Sequence, residues 1–341
     1  MGKRILISDP TLRDGSHAIQ HRFTVEQIIA YCRVASAAGV PIIEVGHGNG
    51  LGASSLQVGE SVLTDRQMLE AARQNLGTSK LGIHVIPGFA TINQDLAPAL
   101  EMGVDVVRVA SHCTEADITH RHISYVREHG RQAFGVLMMS HMVGVNVLVE
   151  EAHKLESYGA EAVIIMDSAG AFLPDQVRER VKALSESLAI PAGFHAHNNL
   201  GMAVANTMAA LEAGAGIVDG TARGFGAGAG NAAIELIVAV AAQLGYETGI
   251  DLYKILDASE FAEKTMMPVM PSIKSTSIVS GLSGVFSGFA KPVERAAIEF
   301  KVDPRDIFFE LGKRKVVAGQ EDMIVEVAAE LARRRQGGDK T

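Results

Sequence analysis

Cysteine is scarce in this 341-residue chain. Cys32 and Cys113 are the two present, too few for a disulfide framework or a four-thiolate zinc centre, and they suit a reducing compartment. Long apolar runs are missing as well, and no stretch approaches the roughly 20 residues that span a bilayer. The opening MGKRILISDP reaches Asp9 and Pro10 before a signal-like apolar core can form, so the expectation is a cytoplasmic protein with no membrane partner. Basic residues are not in excess: 31 Lys and Arg face 39 Asp and Glu, a formal net charge of −8, which argues against nucleic acid as a partner. No GxGxxG follows the first apolar run, so the main cue for a dinucleotide-binding sheet is absent.

What is present is an apolar, glycine-rich globular composition, 47% hydrophobic and 21% charged with 35 glycines. Short apolar runs alternate with amphipathic stretches eight times. The runs lie at 4–8, 41–45, 81–86, 104–110, 133–139, 162–166, 190–194 and 216–218. Helix-like stretches fall near 24–38, 63–75, 92–101, 115–129, 145–158, 174–188, 200–213 and 230–244. Gly39, Gly103, Gly130, Gly159 and Gly214 punctuate them. Eight consecutive strand–helix units predict a closed (β/α)8 TIM barrel, with a doubly wound sheet as the alternative. Beyond about residue 250 the pattern becomes helical, with apolar faces at 292–300, 305–313 and 321–335. The expected division is a catalytic barrel over 1–260 and a helical C-terminal domain over 261–341.

Catalytic groups of such barrels gather at the C-terminal ends of the strands. The residues there are polar: Asp9, Thr11, Arg13, Asp14 and His17 after the first run, Glu44 and His47 after the second, His84 after the third, Ser111 and His112 after the fourth. Asp167 and Ser168 follow the sixth, His195, His197 and Asn199 the seventh, and Asp219 the eighth. In His195-Ala-His197 the two imidazoles point to one side of a strand. With Asp14 they could ligate a divalent metal such as Mn²⁺, Co²⁺ or Mg²⁺; the pair could equally be hydrogen-bonded polar residues at a strand end. Arg13 could stabilise an enolate or carboxylate oxygen, or form a rim ion pair. His17 could act as a general base. Glu44 could hold Arg13 or a water in place. Ser168, before Ala169-Gly170, could meet a substrate carboxylate or belong to a plain turn. The Gly224–Asn231 segment could bind phosphate or form a tight packing turn.

Asp9-Pro-Thr-Leu-Arg-Asp14-Gly, His195-Ala-His-Asn-Asn-Leu200 and Gly226-Ala-Gly-Ala-Gly-Asn231 resemble the metal-dependent barrel superfamily that includes isopropylmalate synthase and hydroxymethylglutaryl-CoA lyase. Within it, Gly15-Ser-His-Ala-Ile19, Leu137-Met-Met-Ser-His-Met142, Glu156-Ser-Tyr-Gly-Ala160 and Gly319-Gln-Glu-Asp-Met-Ile324 are similar to the 4-hydroxy-2-oxovalerate aldolases, over nearly the whole chain. The resemblance implies cleavage of 4-hydroxy-2-oxoacids to pyruvate and an aldehyde with a divalent metal, usually Mn²⁺. It also implies a C-terminal domain that docks an acylating aldehyde dehydrogenase, as a homo-oligomer or a heterotetramer with that enzyme. By motif, Asp14, His195 and His197 ligate the metal, Arg13 stabilises the pyruvate enolate, His17 acts on the C4 hydroxyl, and Ser168 and His195 contact the ketoacid.

Where the family has Gly-Val-Tyr-Ser-Ser-Phe, this chain has Gly284-Val-Phe286-Ser-Gly-Phe289. A phenyl ring replaces the hydroxyl that orients the aldehyde end. Two other readings stand beside this one: a related lyase or synthase using a pyruvate-like enolate with another acceptor, and a silent scaffold for the dehydrogenase. The related lyase draws a cysteine from a C-terminal loop, whereas the last cysteine here is Cys113.

Overall fold

The computed structural model describes residues 3–338. Eight parallel strands close into a barrel: β1 (Leu6–Leu12), β2 (Ile42–Val45), β3 (Lys80–Val85), β4 (Val106–His112), β5 (Gln132–Met138), β6 (Ala162–Asp167), β7 (Ala192–Ala196) and β8 (Ile217–Asp219). Each pairs with the next, and Leu6 against Ile217 closes the ring. Closure removes both sheet edges, which excludes the doubly wound alternative.

The intervening helices are α1 (Val25–Ala37), α2 (Asp65–Arg73), α3 (Ala97–Glu101), α4 (His120–Glu128), α5 (Val145–Ser157), α6 (Pro174–Ser187), α7 (Ala203–Glu212) and α8 (Ile234–Gln243). Their starts are written locally. Thr24 Oγ1 accepts from Gln27 N at 3.2 Å while the Gln27 side chain accepts from Thr24 N at 3.0 Å, a capping box that Thr64 and Gln67 repeat before α2. The five turn glycines take φ between +68° and +108°, a region costly to any residue with a β-carbon. Ile42, Val106, Phe134, Val136, Ile164 and Ile217 fill the barrel interior. A second layer, including Ile7, Val107, Leu137, Val163 and Phe194, packs the outer strand faces against the helices.

The first strand ends later than its apolar run suggests. Asp9 and Thr11 lie inside β1, not beyond it. The pairing with β2 shifts register between Asp9 and Leu12, and this irregularity accommodates Pro10, which has no N–H for a ladder. Asp9 is repaid by accepting from Thr11 N at 2.9 Å, from the Thr11 hydroxyl and from Tyr31 Oη at 2.5 Å.

Helix α9 (Leu252–Met266), capped by Asp251, carries Ile255, Ala258, Ala262 and Met266 into the barrel core. It therefore runs across residue 260. A separate apolar cluster of Val285, Phe289, Val293, Ile307, Phe308, Leu311, Ile324 and Val327 is built by the helices that follow. These are α10 (Ser275–Ser283), α11 (Ala290–Phe300), α12 (Pro304–Lys313) and α13 (Asp322–Gly338). Each such side chain contributes about 1.5–3 kcal/mol on burial.

Candidate active site

The C-terminal ends of β1, β2, β7 and β8, with Arg108 from within β4, carry one continuous chain of buried charge. Arg13 Nη1 lies 3.0 Å from Asp14 Oδ1, and Arg13 Nε donates to Glu44 Oε2 at 3.0 Å. Glu44 Oε1 meets Arg108 Nη1 at 3.1 Å, and Arg108 Nη2 meets Asp219 Oδ2 at 2.6 Å. His195 Nδ1 is 2.8 Å from that same Asp219 oxygen. All six residues are at most 3% exposed. Such charges are tolerated in a protein interior because each is paired.

Asp14, His195 and His197 come together with one ligand atom apiece, all within 4.8 Å of one another. The Asp219 contact fixes the His195 tautomer: Nδ1 donates to the carboxylate, leaving the Nε2 lone pair free. Nε2 is buried without a partner, as is His197 Nδ1. Orphaned imidazole nitrogens beside a carboxylate are the donor set of a mixed nitrogen and oxygen metal site with positions to spare. Burial pushes His197 down to about 3. Burial would raise Asp14, but His197, Arg13 and His17 outweigh it and hold the carboxyl well below the usual carboxylate range. Neutral imidazoles and an ionised carboxylate are the forms that ligate.

Around this centre the backbone comes very close. A β-carbon on Gly226 would stand 2.5 Å from Asp14 Oδ2, so the glycine-rich segment is a packing turn against Asp14. It ends at Asn231, whose Nδ2 donates to Asp14 Oδ2 at 2.5 Å. Arg13 Nη1 also donates to Gly48 O at 3.2 Å, while its Nη2 is buried with no partner. His17 lies against Gly48, where a β-carbon would fall 2.5 Å from the ring. Burial lowers the His17 pKa, keeping the imidazole neutral near pH 7.

A cleft of about 680 Å³ opens outward from His17 and Phe286, whose rings meet edge-on at 6.5 Å between centroids. Its walls include Gly226, Val58, Met270 and Arg295. The segment bearing Phe286 is fastened to the barrel mouth. Ser287 N donates to Ser168 O at 2.9 Å, and Asn199 Nδ2 donates to both Ser287 Oγ and Ala169 O at 2.9 Å. Asn199 Oδ1 accepts from Ala229 N at 3.0 Å. Ser168 Oγ accepts from Met139 N at 3.0 Å and is fully buried.

The sequence reading thus has Arg13, Asp14, Glu44, His195 and His197 in one cluster, His17 and Phe286 together at the cleft, and Ser168 where the barrel meets the C-terminal segment. It missed Arg108, although an arginine inside Val106-Val-Arg-Val-Ala110 is a charge in an apolar strand and has to be paired. Asp219, Asn199 and Asn231 stood inside motifs that drew attention, without a role.

A family profile described as HMGL-like matches residues 4–262, and one described as a DmpG-like communication domain matches residues 271–333. Curated relatives named 4-hydroxy-2-oxovalerate aldolase include one from Pectobacterium atrosepticum, 62% identical over 98% of both chains. One from Spirochaeta aurantia is 65% identical over 97% of both. Among solved structures, the carboxyl transferase domain of Rhizobium etli pyruvate carboxylase superposes with a TM-score of 0.80 at 16% identity, covering 97% of this chain and 60% of that one. The N-terminal domain of a putative aldolase from Bacteroides vulgatus gives 0.70 at 22% identity, covering 87% of this chain and 98% of that one. At those identities the likeness is one of fold.

Proposed function

The chain belongs to the HMGL-like family and to the 4-hydroxy-2-oxovalerate aldolases, a carbon–carbon lyase yielding pyruvate and acetaldehyde, and we propose that Arg13, Asp14, His17, Ser168, His195, His197 and Phe286 form its active site. The observation that carries this assignment is the convergence of Asp14, His195 and His197 with the unpartnered Nη2 of Arg13 beside them.

Asp14, His195 and His197 would hold a divalent cation, which supplies Lewis acidity toward the 2-keto oxygen of the substrate. We assign Mn²⁺, with Co²⁺ and Mg²⁺ the alternatives that this donor set accepts. His17, neutral and at the cleft, takes the proton of the C4 hydroxyl. The C3–C4 bond then breaks, C4 leaves as the aldehyde carbonyl, and the electron pair becomes the C2–C3 double bond of pyruvate enolate. Arg13 Nη2 donates to the developing oxyanion, and Glu44 holds the guanidinium in position. Protonation at C3 completes pyruvate. Ser168 borders the ketoacid end and Phe286 the aldehyde end.

The helices over 271–333 match the communication domain, and we read them, within the C-terminal domain placed at 261–341, as the docking site of an acylating aldehyde dehydrogenase that receives the aldehyde. The assembly is a heterotetramer with that enzyme or a homo-oligomer, in the cytoplasm.

The test is pyruvate release from racemic 4-hydroxy-2-oxovalerate by metal-stripped protein with and without Mn²⁺, coupled to lactate dehydrogenase. Metal-dependent pyruvate is the expected outcome. Exchange of pyruvate methyl protons without cleavage would move the enolate chemistry to another acceptor. Loss of both would leave a scaffold.

A further inference from the structure

Arg108 is 1% exposed within β4, and the reaction above gives it no part. Val106 and Ala110, two residues to either side, line the barrel interior, so Arg108 points inward between them. In the closed ring β4 stands opposite β8 and two strands from β2. The side chain thus crosses the barrel, with Nη1 3.1 Å from Glu44 Oε1 and Nη2 2.6 Å from Asp219 Oδ2.

Each carboxylate passes the contact on. Glu44 uses its other oxygen to accept from Arg13 Nε at 3.0 Å. Asp219 uses the same oxygen, Oδ2, for His195 Nδ1 at 2.8 Å, while its Oδ1 is buried without a partner. One guanidinium therefore stands a single carboxylate away from both the enolate donor and a metal ligand of the mechanism above. A planar fork holds two carboxylates at fixed angles, which the point charge of an ammonium does not.

The fold does not call for this array. Ile42, Val106, Phe134, Val136, Ile164 and Ile217 fill the same interior with apolar side chains, and apolar residues of similar volume often replace buried ion pairs with no loss of stability. What the array does is fix the angle between the residues at its two ends.

On the aldolase reading above, we infer that Arg108 is a positioning residue that acts through Glu44 on Arg13 and through Asp219 on His195. It holds the enolate donor and the metal ligand in one register, so that the cation and Arg13 address the same 2-keto oxygen.

The experiment compares wild type with Arg108→Lys in three measurements: Mn²⁺ affinity of the metal-stripped protein by titration calorimetry, kcat and KM at saturating Mn²⁺, and Tm. Lysine keeps the charge and meets one carboxylate at a time. The Mn²⁺ Kd should rise at least fivefold and kcat should fall at least tenfold, with KM within threefold. A double-variant cycle separates positioning from bulk stability. In an Arg13→Ala background, Arg108→Lys should cost no more than a further twofold in kcat, because its path to the enolate runs through Arg13, while the rise in Kd should persist. An arginine that serves only the fold would lower kcat by the same factor in both backgrounds. That result overturns the inference, as does an unchanged Kd.

If Arg108→Lys loses the fold, Glu44→Gln and Asp219→Asn cut one arm each. Glu44→Gln should lower kcat with the Mn²⁺ Kd within twofold, and Asp219→Asn should raise the Kd; any other pattern overturns the inference. A wild-type protein that binds Mn²⁺ but cleaves no 4-hydroxy-2-oxovalerate would instead overturn the aldolase reading, and the Kd shift alone then decides the link from Arg108 to His195.

Discussion

Individual side chains in the cluster separate metal binding from bond cleavage. Asp14→Ala removes one of the three proposed ligand atoms and takes the carboxylate acceptor from Asn231 Nδ2 and Arg13 Nη1. Bound metal, followed by titration calorimetry, should be lost together with activity. Arg13→Ala leaves the ligands in place, so metal binding should persist while kcat falls by a factor of 10² to 10³, about 2.7–4 kcal/mol, the range for one oxyanion donor. Retained activity in Arg13→Ala would remove the enolate role. Phe286→Tyr places a hydroxyl near His17, across rings now 6.5 Å apart, and should narrow cleavage toward one C4 enantiomer in chiral product analysis. These residues were legible in the sequence because short motifs carry them: Arg-Asp at a strand end and two histidines at a spacing of two. Arg108 was harder to read. It is a single polar residue inside an apolar strand, and which partner it meets depends on barrel closure.

Among elements, the strand and helix positions followed from periodicity and punctuation, and most observed boundaries lie within a few residues of the apolar runs. The exception is β1, where the bulge at Pro10 carries the strand on to Leu12 and draws Asp9 and Thr11 into it. A register irregularity leaves no periodic trace, so the pattern could not announce it. The junction between barrel and C-terminal helices was likewise unreadable in detail, since the apolar face of α9 looks the same whichever core it joins. That junction rests on Asn199, which bridges Ala169, Ser287 and Ala229. Asn199→Ala should cost roughly 1–3 kcal/mol for each buried group left unpaired, seen as a lower urea midpoint. An unchanged midpoint would mean that the Phe286 segment is held by other contacts.

For the molecule as a whole, buried histidines set the response to acid. Burial holds His21 down to about 2, and His47 and His141 down to about 4. Unfolded, these imidazoles take up protons near pH 6.5. At these three sites the unfolded state therefore binds more protons across the interval from about 6.5 to 4, and their contribution to stability falls as pH falls through it, against an opposing gain from Asp9 and Asp167, whose carboxyls burial raises to about 6. Each group contributes up to about 1.4 kcal/mol per pH unit. Denaturation at pH 7 and pH 5 should show the loss, and His47→Asn should flatten it; an equal loss in that variant would exclude His47. The linked ion pairs of the barrel mouth carry a different consequence. Arg13 and Arg108 face Asp14, Glu44 and Asp219, so the array by itself holds one uncompensated negative charge. A divalent cation held by Asp14, His195 and His197 would reverse that sign, and a substrate with a single carboxylate would then restore neutrality, leaving no counter-charge for a second anion.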